Sequence, residues 1–408
     1  MKIIFIIYNI FEVKSGVSNK YIHFFDFLNK KDIDFIILTT FNQSIKKDIS
    51  IYNYIEFKGV NVPFYEYLKI PYINLDDLKK IVNHNDIIIF HSEFYWLYSL
   101  LNEIKNSYIN IKLIPNWHTN YDYYTNIYFN NSSLLFKIKN ILYKNLENNF
   151  FSGLITTGEI SKNTFLKYNS NIFNANEICL ENFNKFKINK YNQKETINII
   201  HTGRIALEKN LLLIIDILIK LEEIKMNNYV MHFIGCGPYV KKLKNYIMKQ
   251  DMNVKYIISD KIKYYGDIQY NEIIHIYNKL ENRIFIQPSI SETFGKSTME
   301  ASYCGIPIFI KKCEIHDLLY NENNAFIFED VNDFIFQFIL FFKLKDEQKE
   351  SILNNGFHNA EKYNQKHIFN ELLTFINQTK CKNTVYYNEN MTNYLFNGLY
   401  NGIHYLQK

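Results

Sequence analysis

Two glutamates and a glycine have the types and the spacing to bind a ligand that carries phosphate and hydroxyl groups. Glu292 and Glu300 lie eight residues apart, with Gly295 between them. They follow an apolar run, which predicts a strand-to-helix loop in which Ser297 and Thr298 cap the helix. The amides from Gly295 to Thr298 would then point out of a helix N-terminus, where anions bind. The arrangement suits a nucleotide sugar, although two glutamates at this spacing by themselves also fit two solvated helix charges.

Short apolar runs alternate with helical patterns along both halves of the chain, and these elements must position the glutamates. Fully apolar strands in such alternation predict an α/β protein with two parallel sheets covered by helices. The predicted strands are residues 2–9, 34–40, 86–92, 111–117 and 153–158 in the first half and 196–203, 230–237, 262–267, 283–289 and 307–312 in the second half. Ligands bind beyond the carboxyl ends of such strands, so the loops that follow them are the candidate sites.

Length and composition bound the class of protein. The chain has 408 residues, of which 47% are hydrophobic and 17% aromatic, enough for two globular cores. The net charge of +5 gives no argument for nucleic acid, but it is compatible with an anionic substrate or membrane surface. Five scattered cysteines indicate a reducing compartment without structural zinc. The first apolar run fits a buried strand better than a signal peptide, and no run has the roughly 18 apolar residues of a spanning helix.

The strand at 283–289, its glycine-bearing loop, the helix and the closing run from Gly305 to Ile310 together resemble the sugar-nucleotide signature of glycosyltransferase family four. Members of that family are retaining enzymes with the GT-B fold, so the resemblance implies two Rossmann-like domains whose parallel sheets face an interdomain cleft. The implied parts are an acceptor domain at 1–185, a nucleotide-sugar domain at 186–364 and a segment at 365–408. That last segment is expected to be a helix that crosses back to the first domain, followed by an aromatic tail. The polar stretch 184–196 is the expected linker.

The loop after the strand at 196–203 carries two cations near one helix start. Gly203 and Arg204 are followed by Glu208 and Lys209, which open a long apolar helix. Permanent cations in this arrangement suit a leaving diphosphate, although Lys209 alone also fits a solvated helix terminus. The resemblance implies that Arg204 and Lys209 neutralise the charge that builds on the departing diphosphate.

The resemblance also implies the other donor contacts. Glu292 and the amides that follow Phe294, at Gly295 and Lys296, would hold the transferred sugar and the diphosphate. Glu300 would accept hydrogen bonds from the ribose.

Weaker signals lie at two further strand ends of the second half. Gly237, in a tight turn that lacks the third glycine of a dinucleotide fingerprint, is expected near the nucleotide. Ile268 lies where the family's base-binding loop falls. Asp32 and Asp34 match the Asp-x-Asp of metal-dependent glycosyltransferases, but they precede a strand at its amino end, so no metal site is expected.

In the first half, Gly16 resembles part of the family's glycine-glycine-valine loop, with Ser15 in place of the first glycine. His118, followed by Thr119 and Tyr121, resembles the His-Thr-x-Tyr motif of the members that glycosylate diacylglycerol, the branch nearest to this chain. The matching histidine of related enzymes lies against the transferred sugar. Judged by itself, a single histidine after a strand is more often a packed or hydrogen-bonded residue.

The acceptor is inferred from a basic amphipathic pattern at residues 134–150, which includes Lys137, Lys139 and Lys144. Such a helix can lie on an anionic bilayer, although an ordinary surface helix has the same pattern. With the histidine motif, it favours a lipid acceptor such as diacylglycerol. A polysaccharide or cell-surface glycan is the alternative, and a non-catalytic GT-B partner subunit is the second class of function. The aromatic tail at 380–408 is expected to pack on the first domain, with lipid headgroups as the alternative.

Together the residues and the resemblance predict a retaining, metal-independent hexosyltransferase that needs no cofactor and uses a nucleotide diphosphate sugar, expected to be a UDP-sugar. The predicted catalytic residues are His118, Arg204, Lys209 and Glu292. The expected partners are the donor and a lipid or glycan acceptor, with an anionic membrane surface as a candidate and no nucleic acid. The expected location is the cytoplasm, with peripheral attachment to the inner face of the membrane as a further possibility.

Overall fold

The structure, a computed structural model, describes residues 1–12, 16–41, 51–62, 65–92, 97–118, 150–179 and 191–382. The chain divides into two compact units. Unit 1 comprises Met1–Ala175 together with the chain from Phe369 onward, and unit 2 comprises Asn176–Ile368.

Unit 1 is built on a parallel sheet whose strands are apolar on both faces. Its strands are Ile3–Ile6 (β1), Phe35–Thr39 (β2), Tyr54–Glu56 (β3), Gly59–Val62 (β4), Tyr65–Pro71 (β5), Ile87–His91 (β6), Lys112–Trp117 (β7), Leu154–Thr156 (β8) and Ile172–Asn174 (β9). The described strands form a seven-stranded sheet in the order β3-β2-β1-β6-β7-β8-β9, while β4 and β5 form an antiparallel pair. Every residue of β1, β2 and β6 is buried, because helices cover both faces of such a sheet.

Unit 2 repeats this plan with a six-stranded parallel sheet. Its strands are Ile197–Thr202 (β10), Tyr229–Ile234 (β11), Ile262–Gly266 (β12), Arg283–Gln287 (β13), Ile308–Lys311 (β14) and Phe326–Phe328 (β15). Among the described residues their order is β12-β11-β10-β13-β14-β15.

The helices are amphipathic and pack their apolar faces on the sheets. In the described residues, those of unit 1 are Gly16–Lys30 (α1), Leu75–Ile81 (α2), Leu97–Ser107 (α3) and Glu159–Phe165 (α4). Those described in unit 2 are Leu212–Glu223 (α5), Val240–Met248 (α6), Met252–Asp260 (α7), Tyr270–Lys279 (α8), Lys296–Tyr303 (α9), Glu314–Leu319 (α10), Val331–Lys343 (α11) and Asp346–Glu361 (α12), and they are followed by the helix Gln365–Gln378 (α13). In α5, Ile214, Leu218 and Leu221 recur at the spacing of helical turns and join the core of unit 2. In α13, the ring of Phe369 packs in unit 1 with its centroid 5.0 Å from that of Phe24.

The strand order of unit 2 reverses at β10, because β11 lies on one side of it and β13 on the other. These strands pair in register, with Ile200 opposite Phe285. The segments that leave β10 after Thr202 and β13 after Gln287 therefore emerge side by side at the same edge of the sheet. Ligands of open α/β sheets bind at such a reversal point.

The predicted architecture of two parallel sheets with helices is confirmed, and each of the ten predicted runs overlaps a strand. The pattern misses β3, β9 and β15, which have only three residues each and so carry little periodicity. It also misses β4 and β5, whose polar residues interrupt the apolar runs on which the prediction relies. Asp32 occupies a turn with a left-handed backbone (φ 53°) at the amino end of β2.

Four predictions fall wholly or mostly outside the described residues. They concern the loop after His118, the basic helix at 134–150, the linker with its domain boundary near residue 185, and the tail from residue 383 onward. In the part of the chain that the structure describes, no helix has both the length and the apolar character needed to cross a bilayer.

Candidate functional site

Lys209 and Glu292 form an ion pair between the two loops that leave the sheet of unit 2 side by side. Lys209 ends a short 3₁₀ turn, Leu207–Lys209, in the loop after β10. Its Nζ lies 2.6 Å from Oε1 of Glu292, and the two side chains are 15% and 7% exposed. The amide of Ile290 also donates to the carbonyl of Glu208 at 3.0 Å, so backbone and side chains both join the loops.

Oε1 of Glu292 accepts two further hydrogen bonds. The donors are Gln287 Nε2 at 2.5 Å and Ser289 Oγ at 2.9 Å. Burial by itself would raise the pKa of the Glu292 carboxyl, but the Lys209 ammonium, His316 and the Ser289 hydroxyl outweigh burial, so that pKa lies below its ordinary value. The group is thus a fixed anion, with one oxygen held by three donors.

Arg204 is the more exposed cation of the loop after β10. Its guanidinium lies 2.6 Å from Glu208 Oε1, with 48% of the Arg204 side chain exposed and 9% of the Glu208 side chain. About half of the Arg204 side chain is therefore accessible at the carboxyl end of β10. Gly203, directly before it, donates its amide to the carbonyl of Ile234 in β11 at 2.9 Å.

Gly237 supports this loop by close backbone packing. The amide of Ile205 donates to the carbonyl of Cys236 at 2.9 Å, and a Cβ on Gly237 would lie only 2.3 Å from the Ile205 carbonyl oxygen. The sequence predicts Gly237 near the nucleotide, and the structure places it under the loop that carries Arg204. At the neighbouring strand end, Ile268 follows β12 and is half-buried.

Helix α9 begins at Lys296, directly after Gly295, which has a left-handed backbone (φ 79°) that glycine adopts without strain. Gly295 occupies the cap position, so the prediction that Ser297 and Thr298 cap this helix is wrong, because the helix starts before them. The amide of Thr298 donates to the Gly295 carbonyl at 3.1 Å. The Thr298 amide is one of those predicted to face an anion, but it makes its hydrogen bond within the first turn of α9.

Phe294 anchors the loop that precedes α9. Its side chain is 2% exposed, and its ring centroid lies 4.9 Å from that of Tyr363. The buried Phe294 ring thus holds the loop in place directly before the N-terminus of α9.

Glu300 lies inside α9, in surroundings that differ from those of Glu292. It is 6% exposed and accepts a hydrogen bond from the Tyr270 hydroxyl at 2.8 Å. Burial raises the pKa of Glu300 to about 7, although the Lys296 ammonium and the Tyr270 hydroxyl oppose the rise. Lys296 pairs with Glu177, with Nζ 2.8 Å from Oε1.

The predicted residues of unit 1 lie at the carboxyl edge of its sheet or near it. His118 directly follows β7, is 9% exposed, and has Nδ1 3.3 Å from Thr157 Oγ1. Burial lowers the pKa of His118 well below its usual range, and His91 and Lys20 act in the same direction, so the ring is neutral. Gly16 is the exposed first residue of α1.

Sequence reasoning misses four residues that contact the two glutamates or their partners. Gln287 carries a visible signal, because it is a polar residue that ends the apolar strand β13 at the ligand edge. No such sequence signal marks Ser289, Tyr270 or Glu177, because the packing of separate elements sets their partners. Within the described ranges, no group of three or more His, Cys, Asp or Glu side chains is placed to hold a metal ion.

Residues 182–358 match the model of a protein family described as glycosyl transferases group 1. A curated relative, the sulfoquinovosyl transferase SQD2 of Arabidopsis thaliana, is 33% identical over 110 residues, which make up 27% of this chain and 18% of that protein. The match thus spans less than a fifth of the relative's length.

Solved structures match over nearly the whole chain. The sucrose-phosphate synthase of Thermosynechococcus elongatus has a TM-score of 0.66 at 12% identity, covering 93% of this chain and 99% of the other. Anabaena Alr3699/HepE, solved in complex with UDP and glucose, has a TM-score of 0.64 at 15% identity, covering 93% and 100%. At such identities the likeness establishes the fold, which is GT-B with two Rossmann-like parallel-sheet domains.

Proposed function

We propose that this protein is a glycosyltransferase that moves a sugar from a nucleoside diphosphate sugar, taken to be a UDP-sugar, to an acceptor hydroxyl. The observation that carries the proposal is the buried Lys209 and Glu292 pair at the reversal point of the unit 2 sheet. It lies within the residues that match the glycosyl transferases group 1 family.

Each charged group has a role in this reaction. When the bond between the sugar carbon and the diphosphate oxygen breaks, its electron pair stays on the diphosphate, and Arg204 and Lys209 stabilise that negative charge. Glu292, held as an anion, accepts hydrogen bonds from sugar hydroxyls, and Glu300 accepts them from the ribose. The acceptor oxygen forms the new bond to the sugar carbon, and its proton goes to the departing diphosphate. Two cations at the diphosphate provide the charge that a metal ion supplies in other folds, so we propose a metal-independent enzyme. The resemblance to glycosyltransferase family four is the ground on which we propose that it retains the anomeric configuration.

The test is binding and turnover across a panel of nucleotide sugars, with and without a chelator of divalent ions. We expect one donor to raise the melting temperature and to be consumed, and Lys209→Ala to lose turnover. Lys261→Ala is the matched control. Lys261 pairs with Glu222 in the same unit, but it lies directly before β12, at the amino ends of the strands and away from the candidate site. If no donor stabilises the protein, or if Lys261→Ala loses as much turnover as Lys209→Ala, the proposed site is wrong.

For the acceptor we propose a lipid such as diacylglycerol, bound by unit 1 and approached from an anionic membrane surface on the cytoplasmic side. The support is the His-Thr-x-Tyr motif at His118 and the lysines at 137, 139 and 144, most of which lie outside the described residues. Each such lysine would contribute about 1 kcal/mol near an anionic bilayer, and salt would weaken the attraction.

Vesicle co-sedimentation at low and high salt tests this acceptor proposal. We expect binding to anionic but not neutral vesicles, and release when the three lysines are replaced by Gln. If the wild-type protein ignores anionic vesicles at low salt, a polysaccharide or cell-surface glycan becomes the better acceptor.

A further inference from the structure

A cluster of charged side chains in unit 2 lies beside Glu300 and includes groups that the proposed reaction does not use. Lys296 lies one helical turn before Glu300 in α9, and the Tyr270 hydroxyl joins Glu300 to the segment of Glu177, because it also lies 3.1 Å from the Cys179 carbonyl. Lys296 Nζ lies 2.8 Å from Oε1 of Glu177, whose side chain is 1% exposed. The other oxygen of Glu177 accepts a hydrogen bond from Gln365 Nε2 at 3.0 Å. Glu300, also buried, accepts one from the Tyr270 hydroxyl at 2.8 Å.

The charges of this cluster do not balance when both carboxyls are ionised. Among the described residues, two buried carboxylates share one ammonium, that of Lys296, which leaves one negative charge in excess. Buried excess charge is relieved by protonation. Glu177 has an ammonium and an amide as direct donors, whereas Glu300 has a neutral phenol. Glu300 is therefore the member that takes up the proton.

The pKa directions agree with this count. Burial raises the pKa of Glu300, Lys296 lowers it, and Glu177 raises it further. The pKa of Lys296 is itself raised, because its pairing with Glu177 outweighs burial, so Lys296 stays charged. In the part of the chain that the structure describes, the titratable groups that act on Glu300 or are acted on by it are Lys296, Tyr270, Glu177, Tyr277 and Cys304.

We propose that Lys296 and Glu177 are positioning residues that set the charge of Glu300, with Lys296 favouring the carboxylate and Glu177 opposing it. This inference rests on the proposed function, in which Glu300 accepts hydrogen bonds from ribose hydroxyls. Hydroxyls bind a carboxylate more strongly than a carboxylic acid. Nucleotide binding therefore releases a proton from Glu300 and weakens as the pH falls below the Glu300 pKa.

Two substitutions shift that pKa in opposite directions. Lys296→Met removes the compensating cation, so the Glu300 pKa rises by about one pH unit or more. Glu177→Gln keeps the shape but removes the competing anion and leaves Lys296 to act on Glu300 alone, so the Glu300 pKa falls by about the same amount. Loss of packing alone would shift both variants in the same direction or in neither.

The measurement is a pH titration of side-chain carboxyl signals by NMR, on protein labelled with ¹³C at glutamate Cδ. The Glu300 signal is the one that disappears in Glu300→Gln. Lys261→Met is the matched control, because it breaks the Lys261 and Glu222 ion pair elsewhere in unit 2. Opposite shifts in Lys296→Met and Glu177→Gln, with none in Lys261→Met, support the proposal, and equal or absent shifts overturn it.

Calorimetric titration with UDP in two buffers of different ionisation enthalpy measures the released protons, and Glu300→Gln gives the share that comes from the UDP phosphate. We expect more release in the wild type than in Glu300→Gln at a pH just below the Glu300 pKa, and a much smaller excess in Glu177→Gln, whose Glu300 is already ionised. UDP binding with equal proton release in the wild type and Glu300→Gln overturns the proposal. Opposite NMR shifts in a protein that does not bind any nucleotide would instead support the charge control and refute the donor site.

Discussion

Lys209→Ala removes the cation that holds Glu292 and that the proposed reaction places at the diphosphate. The two side chains are 15% and 7% exposed with 2.6 Å between their charged atoms, so the change leaves a buried carboxylate without its counter-charge. Breaking a buried pair costs about 3–5 kcal/mol. Gln287 and Ser289 still donate to Glu292, which favours the lower end of that range, about 3 kcal/mol near neutral pH.

The stability deficit depends on pH with a defined sign. The folded pKa of Glu292 lies below its ordinary value in the wild type, so its contribution is present above the unfolded pKa and is lost as the pH falls through the folded pKa. Without Lys209 the folded pKa rises and Glu292 takes up a proton sooner. The difference between wild type and Lys209→Ala should therefore shrink on acidification.

Turnover should fall more than stability explains. A cation that acts on charge developed in the transition state contributes about 2.7 kcal/mol or more, which corresponds to at least about a hundredfold in turnover, with a smaller loss of donor affinity. The double variant Lys209→Met with Glu292→Gln replaces the buried charges by neutral groups of similar size. It should recover most of the stability and none of the turnover.

The assay combines urea unfolding with the rate of nucleotide release under saturating donor. Lys261→Ala, which breaks an ion pair at the other edge of the same sheet, should lose stability but keep turnover. A folded Lys209→Ala protein with nearly wild-type turnover would refute the role of Lys209.

Three further predictions concern other parts of the molecule. Glu300→Gln should mainly raise the donor concentration needed, and Glu292→Gln should mainly lower turnover, because the two carboxylates are proposed to hold ribose and sugar; indistinguishable steady-state kinetics would contradict this division. Gly237→Ala should destabilise the fold by about 1–3 kcal/mol and weaken donor binding, because its Cβ would lie 2.3 Å from a backbone oxygen, and an unchanged urea midpoint would count against this packing. Stability should fall as the pH drops from about 6.5 to about 4, because burial lowers the pKa of His201 and His232 to about 4 and the unfolded chain takes up their protons first. The fall should flatten in His201→Gln and His232→Gln, and two unaltered profiles would refute that cause.

The helix cap shows where sequence propensity fails. Ser297 and Thr298 are good cap residues, yet the helix begins at Lys296. Gly295 adopts a left-handed backbone conformation without strain, and this ends the loop directly before Lys296. The first turn therefore starts earlier than side-chain capping predicts. Cap propensity describes which residues can begin a helix, and the backbone path of the loop determines which of them does.

The sequence by itself determined most of the local elements and directed attention to the loops of the candidate site. Apolar runs bounded by turn residues identify the strands, and the loops after β10 and β13 carry Arg204, Lys209 and Glu292 at positions that local patterns disclose. This works because burial and backbone preference act over a few neighbouring residues.

Only the tertiary structure decided the partners of these groups. Lys209 meets Glu292 across 83 positions of the chain, and Lys296 meets Glu177 across 119. The first contact depends on the strand order that sets β10 beside β13, and the second on the packing of the segment at 176–179 near the start of α9. No local pattern specifies either, because many strand orders bury the same apolar faces. The charges of the two glutamates follow from those contacts, so one becomes a fixed anion and the other a group that titrates near neutrality.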